Sequence, residues 1–309
     1  MLSVLPDRPV APGTAGICVV RNAYDLVGLV CGHYLRIGLG HLRFIDDGSS
    51  DGTYQLLSDF ARKEKRVSVR RVNNTEFYQA QLMSEAANEL IMAGYRLILP
   101  FDVDEFWDVS APALEMRYAD RCEIAFSGRM TNFVHNTKAT RARRCYLFGV
   151  KYSAPILADA NSQTVMAYER PWVCVKETPK VAFKSAHAVE LDKGQHGLIV
   201  GPTEVDDRPY EVFHLPLRNK SELVKRAVDR EPRVAPLRPN PEIGWQATFH
   251  FRAGLAGRID EVWLASSADA NGYLNCYGQP IALRRDTRLR TLILRSYAYV
   301  ALRYGMVLP

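Results

Sequence analysis

The chain has 309 residues, 47% of them hydrophobic and 24% charged, with a formal net charge of +6. This composition excludes disordered, collagen-like and disulfide-scaffold classes, and the length suits one large α/β domain with additions or two smaller ones. No apolar run reaches the ~18 residues that span a bilayer, and the opening MLSVLPDRPVAPG lacks the basic start and long apolar core of a secretory signal.

The first hundred residues alternate two periodicities. Gly16–Val20 (GICVV) reads as a short strand, and residues 25–37 then place Leu26, Leu29, Val30, His33, Tyr34 and Ile37 at helical spacing. His41–Ile45 is a second strand, ended by DDGSSDGT. Thr53–Lys63 carries Leu56, Leu57 and Phe60 on one helical face, and Val67–Val72 is a third strand. A helix over 79–93 turns Met83, Ala86, Ala87, Leu90 and Ile91 inward, and Tyr95–Phe101 is a fourth strand. Such a β-α-β-α-β-α-β order predicts a mainly parallel sheet covered on both faces, with right-handed crossovers.

After residue 108 the rhythm loosens. Cys122–Phe126, Tyr146–Val150, Val173–Val175, Val181–Lys184 and Tyr210–His214 read as short strands of a mixed-sheet second half. A helix begins near Ser221, its expected N-cap. EPRVAPLRPNPEIG, with four prolines, is the expected linker, followed by aromatic-rich pieces and a basic helix over 285–304. The expected organisation is a catalytic domain over 14–230, divided at 108/109 into a nucleotide-binding and an acceptor half, with 231–309 as linker and C-terminal extension.

Six scattered cysteines (Cys18, Cys31, Cys122, Cys145, Cys174, Cys276) form no CxxC pair and read as reduced thiols of a cytoplasmic protein. Basic residues cluster at Arg62–Arg71, at Lys138–Arg144 and in the tail from Arg284. These are solvated faces or sites for anionic lipid or phosphorylated substrates; no nucleic-acid-binding motif accompanies them. The tail RRDTRLRTLILRSYAYVALRYG either packs on the catalytic domain or lies on an anionic membrane surface.

Both acidic stretches follow strands, where ligands sit in open parallel sheets. In an extended chain Asp102 and Asp104 of LILPFDVDEF face one side, with α-carbons roughly 6.6 Å apart. That spacing suits two carboxylates addressing one Mg²⁺ or Mn²⁺; without a cation they would repel and raise one another's pKa. The same alternation points Glu105 away from Asp104. In DDGSSDGT, Gly48 and Gly52 permit tight turns, and Ser49, Ser50, Asp51 or Thr53 can cap the next helix. Of the adjacent Asp46 and Asp47, one would face the rim, where a carboxylate accepts hydrogen bonds from a base imide or ribose hydroxyl. No glycine-rich phosphate cradle is present, so a metal would have to neutralise phosphate.

VVRNAYD, HYLRIGLGHLRFIDDGSSDGT and LPFDVDEFW resemble, in order and spacing, the nucleotide-binding half of family 2-like glycosyltransferases with the glycosyltransferase-A fold. GQHGLI (Gly194–Ile199) and VFHLPLRNKSELVKRA (Val212–Ala227) resemble the "GNH" and "HxPxRS…K" segments of one bacterial branch, so the likeness spans about residues 15–230. Two departures stand out: Ala23 follows Asn22 where many relatives carry glutamate, and Asn219 stands where the branch often has serine.

The resemblance implies a Rossmann-like, mainly parallel sheet and a nucleotide-diphosphate sugar donor. It further implies transfer to a saccharide or lipid-linked acceptor hydroxyl with inversion, in polysaccharide or glycoconjugate synthesis. Asn22 and Asp46 or Asp47 would bind the nucleoside, and Asp102 and Asp104 the metal on the pyrophosphate. His214 or His196 would add one further ligand, and Arg218 and Lys225 would contact phosphate. Inversion requires a general base; Glu105, Asp108, Glu190 and Asp192 are available. Three alternatives remain: a sugar-nucleotide nucleotidyltransferase, which needs a glycine-rich basic loop that VVRNAYD lacks; a catalytically degenerate binding module, to which Ala23 lends weight; and a metal-free phosphate-binding protein, against which the carboxylates argue.

Overall fold

The computed structural model describes residues 13–73, 78–139, 146–229 and 244–308. Cys145, Arg141, Arg143, Arg144 and most of the proline-rich linker lie outside them.

The first half follows the two periodicities closely. β1 (Ala15–Val20), α1 (Tyr24–Arg36), β2 (His41–Asp47), α2 (Thr53–Lys63), β3 (Val67–Val72), α3 (Gln79–Met92) and β4 (Leu97–Pro100) succeed one another. β1 lies between β2 and β4 and is parallel to both, and β3 runs parallel outside β2. Alternate residues of these strands feed two cores. Cys18, Phe44, Leu97 and Leu99 join Leu26, Val30 and Tyr34 of α1 on one face. Ile17, Ile45 and Ile98 join Met83, Ala86, Ala87 and Leu90 of α3 on the other. Because both faces are covered, the strands can be apolar throughout.

The second half contributes β5 (Glu105–Trp107), α4 (Ala111–Arg117), β6 (Ile124–Val134), β7 (Tyr152–Ser153), α5 (Ser162–Met166), β8 (Lys180–Lys184), β9 (Glu190–Leu191), β10 (Leu198–Val200), β11 (Val205–His214) and α6 (Lys220–Asp229). It continues through α7 (Trp245–Leu255), α8 (Ile259–Ala265), β12 (Tyr273–Cys276), β13 (Gln279–Ala282), β14 (Arg284–Arg285) and α9 (Arg288–Tyr304). The main sheet runs β14-β7-β6-β8-β4-β1-β2-β3. β8 is antiparallel to β4 and β6, whereas β11 pairs parallel with β6 and antiparallel with β5. The mixed-sheet expectation therefore holds, and the carboxyl ends of β1, β2, β4, β6 and β11 share one rim.

Some local expectations are corrected and one is extended. Residues 146–149 and 172–174 form single 3₁₀ turns, not strands, closed by Val150 N–H to Leu147 O and Cys174 N–H to Pro171 O. Asn219, not Ser221, caps α6: its side-chain oxygen accepts from the Glu222 N–H at 2.9 Å, and Asn is a stronger N-cap than most residues. The DDGSSDGT turn serves two helices: Asp51 Oδ1 accepts from Thr53 N–H at 3.0 Å at the start of α2, as expected, and the turn also reaches back to α1. Thr53 Oγ1 accepts from Ala23 N–H (2.8 Å) and Asp51 Oδ2 from Tyr24 N–H (3.0 Å), so this turn satisfies the amino end of the preceding helix α1, whose own N-cap, Ala23, has no side-chain acceptor.

α9 packs on α1. Leu289, Leu292, Ile293 and Val300 enter the first core, and the close approach requires small residues: a Cβ on Gly32 would lie 2.8 Å from the Ser296 carbonyl oxygen. Phe249, Val262, Trp263 and Leu274 instead share a third core with Trp172, Leu217 and Leu223. No helix among the described residues is long and apolar enough to cross a membrane.

Candidate functional site

LILP ends as β4, and the chain then turns. Glu105 N–H donates to Asp102 O at 3.0 Å, which breaks the alternation expected of an extended strand. Asp104 and Glu105 consequently come together, and Asp102 is directed elsewhere. Asp104, Glu105 and His214 each present a ligand atom within 4.8 Å of the others. Neither Asp102 nor His196 belongs to this group.

Strand register brings His214 there. It closes β11 and lies opposite Glu105 on β5 and Asn132 on β6. Asn132 Nδ2 donates to Val173 O at 3.0 Å, which orients its Oδ1 toward His214 Nδ1 at 2.8 Å. Nδ1 therefore carries the proton, and Nε2, the acceptor nitrogen, faces Asp104 Oδ1 at 3.9 Å. Two carboxylates and an imidazole grouped in this way are a donor set that could hold a divalent cation.

Lys180, the first residue of β8, is a residue the sequence reading missed. It is 2% exposed, and its Nζ lies 2.8 Å from Asp102 Oδ2, 2.9 Å from Glu105 Oε1 and 2.6 Å from Gly194 O. Burial opposes its charge, but Asp102 and Glu105 hold its pKa above the usual lysine range. Asp102 Oδ1 takes a hydrogen bond from Gln79 Nε2 at 2.6 Å, and Glu105 Oε2 accepts from Asp102 N–H at 3.0 Å. Burial lifts the Glu105 carboxyl to about 8 against the pull of Lys180, with Asp102 and Asp104 adding to the rise. Glu177, also missed, lines a small cavity with Met130, Thr131, Asn132 and Val173. Burial raises its carboxyl too, partly offset by Lys180 and Asn132.

Asp46 is fully buried at the end of β2, paired in register with Arg71. Its Oδ2 accepts from Ser49 N–H at 3.2 Å and lies 3.4 Å from Arg71 Nε, while Oδ1 has no hydrogen-bond partner among the described residues. The Asp47 carbonyl is held by Arg21 at 2.7 Å. Asn22, at φ 51°, accepts from Ser50 N–H at 2.9 Å through its side chain.

Arg218 differs from the expected phosphate contact. It is 4% exposed, paired with Asp25 and with Glu222 (2.9 Å), and it donates to Asn22 O. Its charge is already matched inside the protein. Lys225 is exposed on α6, and exposed His196 rests its Nδ1 3.2 Å from Pro179 O. Asp108 and Glu190 are exposed and lie outside the acidic group.

No protein-family profile and no curated protein matches the chain. Solved structures with a similar chain path include the mannosyltransferase PcManGT from Pyrobaculum calidifontis in complex with GDP-Man and Mn²⁺, at 14% identity and a TM-score of 0.38, covering 98% of this chain and 84% of that one. Residues 1–349 of S. aureus TarS match at 12% identity and a TM-score of 0.37, over 94% and 89% of the two chains. A putative glucose-1-phosphate thymidylyltransferase from Bacillus anthracis matches at 9% identity and a TM-score of 0.30, over 41% and 58%. The strand order, with its parallel half and mixed half flanked by helices, is consistent with a glycosyltransferase-A type fold.

Proposed function

We propose that the protein is a metal-dependent glycosyltransferase that moves a sugar from a nucleotide-diphosphate donor to an acceptor hydroxyl with inversion. The observation that carries this reading is the grouping of Asp104, Glu105 and His214 at the sheet's carboxyl rim, with the His214 tautomer set by Asn132. Mn²⁺ or Mg²⁺ held by Asp104 and His214 would supply Lewis-acid charge to the departing nucleoside diphosphate. Asp47, the last residue of β2, would accept from the nucleobase or ribose, with fully buried Asp46 supporting the end of the strand from within. Glu177 takes the acceptor proton: it lines the cavity beside Asn132, and its raised pKa makes it a stronger base than an ordinary carboxylate. Arg218 serves as a strut beneath Asn22.

A thermal-shift screen of nucleotide sugars with and without Mn²⁺ tests the reading. Stabilisation by a donor only in the presence of metal supports it, and no shift with any donor at millimolar concentration rejects it.

A further inference from the structure

The Lys180 ammonium sits inside the acidic cluster with all of its hydrogen-bonding capacity committed. An ammonium has three protons, and here the acceptors are Asp102 Oδ2, Glu105 Oε1 and Gly194 O, with Gln195 Oε1 more distant at 3.4 Å. At 2% exposure it has no proton or path left for a substrate phosphate. Each carboxylate oxygen of Asp102 and Glu105 already accepts one hydrogen bond, including the Glu105 oxygen that lies within reach of Asp104 and His214. Asp102 receives Gln79 on one oxygen and Lys180 on the other; Glu105 receives the Asp102 N–H on one and Lys180 on the other.

The remaining contact explains the GQH stretch. Gly194 and Gln195 both adopt positive φ, 74° and 57°, and Gln195 is fully buried. A left-handed non-glycine residue is strained and persists only where its surroundings fix it. The product of that turn is the Gly194 carbonyl aimed at Nζ from 2.6 Å. GQH thus builds the third wall of a lysine socket, while His196 remains on the outside.

We propose that Lys180 is a positioning residue that withdraws Asp102 and Glu105 from the metal and confines direct protein ligation to Asp104 and His214. This deepens the metal-dependent reading above and rests on it. Of the two DVD acids, only the second then touches the ion; the first is an anchor for Lys180 and Gln79. Two protein ligands leave most of the coordination sphere to water and donor oxygens, as expected of a cation shared with substrate phosphates.

The test is Mn²⁺ binding to the full chain without donor, followed by calorimetry and by the loss of the free-ion EPR signal. Asp102→Asn, which retains the size of the group and one acceptor oxygen, is expected to change the Mn²⁺ Kd less than threefold. Asp104→Asn and His214→Ala are expected to weaken it at least tenfold. Lys180→Gln frees carboxylates for the ion, so Mn²⁺ should bind at least tenfold more tightly or with a second equivalent. Should Lys180→Gln lose its native circular dichroism, the two aspartate variants decide alone. Equal losses in Asp102→Asn and Asp104→Asn overturn the proposal while leaving metal dependence standing. Absence of Mn²⁺ binding to the wild-type chain instead overturns the metal-dependent reading, and this inference with it.

Discussion

Asn132 and His214 are 82 residues apart in sequence and face one another across β6 and β11, joined by a 2.8 Å hydrogen bond from Nδ1–H to Oδ1. Asn132 is in turn fixed by Val173 O. The protonation of the imidazole is therefore decided by a neutral amide outside the Asp104–Glu105–His214 group, and where such a histidine binds a metal a partner of this kind orients it.

Replacing Asn132 with leucine removes that orientation at similar volume. Loss of such a supporting group typically costs ~10–100-fold in metal affinity, and Asn132→Leu is expected to lose Mn²⁺ affinity in that range by calorimetry. Asn132→Asp should be milder, since a carboxylate still accepts from Nδ1–H. An unchanged Kd in Asn132→Leu removes His214 from the ligand set.

Glu177 separates chemistry from binding. If it takes the acceptor proton, Glu177→Gln retains the shape of the site and loses the base. The expected result is a kcat lower by roughly 10²–10⁴, with the donor's metal-dependent thermal shift preserved. Loss of that thermal shift as well would place Glu177 in the donor site instead.

Arg218 is expected to contribute to stability and not to phosphate binding. Breaking a buried ion pair from one side leaves uncompensated charge and costs about 3–5 kcal/mol. Arg218→Met, which strands Asp25 and Glu222, should lose stability on that scale in urea unfolding. Combining it with Asp25→Asn and Glu222→Gln should restore much of the loss. Donor binding by the folded fraction should remain within a few-fold of wild type, and a selective loss of donor binding would return Arg218 to the phosphate.

The first half of the fold was legible because its signals are local. Apolar residues recur with period 3.6 in α1 and α3, β1 and β4 are apolar throughout, and the acids begin where β4 stops. The site was legible only in part. His214's place beside the acids could be anticipated from its position at a strand end. Its partner Asn132 could not, because the pairing follows from strand register between residues 82 apart. Lys180 was hidden similarly: a lysine opening an apolar run reads as a solvent-facing strand end, and only the antiparallel placement of β8 beside β4 carries it into the acids. Glu105 was misdirected by assuming an extended chain through a stretch that turns at Asp102. The strands expected at 146–150 and 173–175 had apolar composition but no partner in register, so single 3₁₀ turns formed instead.

His33 makes stability depend on pH in a defined window. It is buried in α1, with Nε2–H donating to Trp107 O at 2.9 Å and Nδ1 facing Arg36. Burial lowers its pKa from 6.5 to about 3; the Trp107 hydrogen bond works against the shift and Arg36 adds to it. Between those values the unfolded chain binds a proton that the folded chain refuses, so stability rises with pH there. The contribution is complete above pH 6.5 and is lost progressively as pH falls toward 3, by up to about 1.4 kcal/mol per pH unit. His33→Gln, whose amide can still donate to Trp107 O, does not titrate. Urea unfolding from pH 7.5 to 4.5 should therefore show the wild-type stability falling more steeply than the variant's, with the curves diverging below pH 6.5. Parallel curves would mean that His33 charges in place and that the Trp107 carbonyl accepts from an imidazolium.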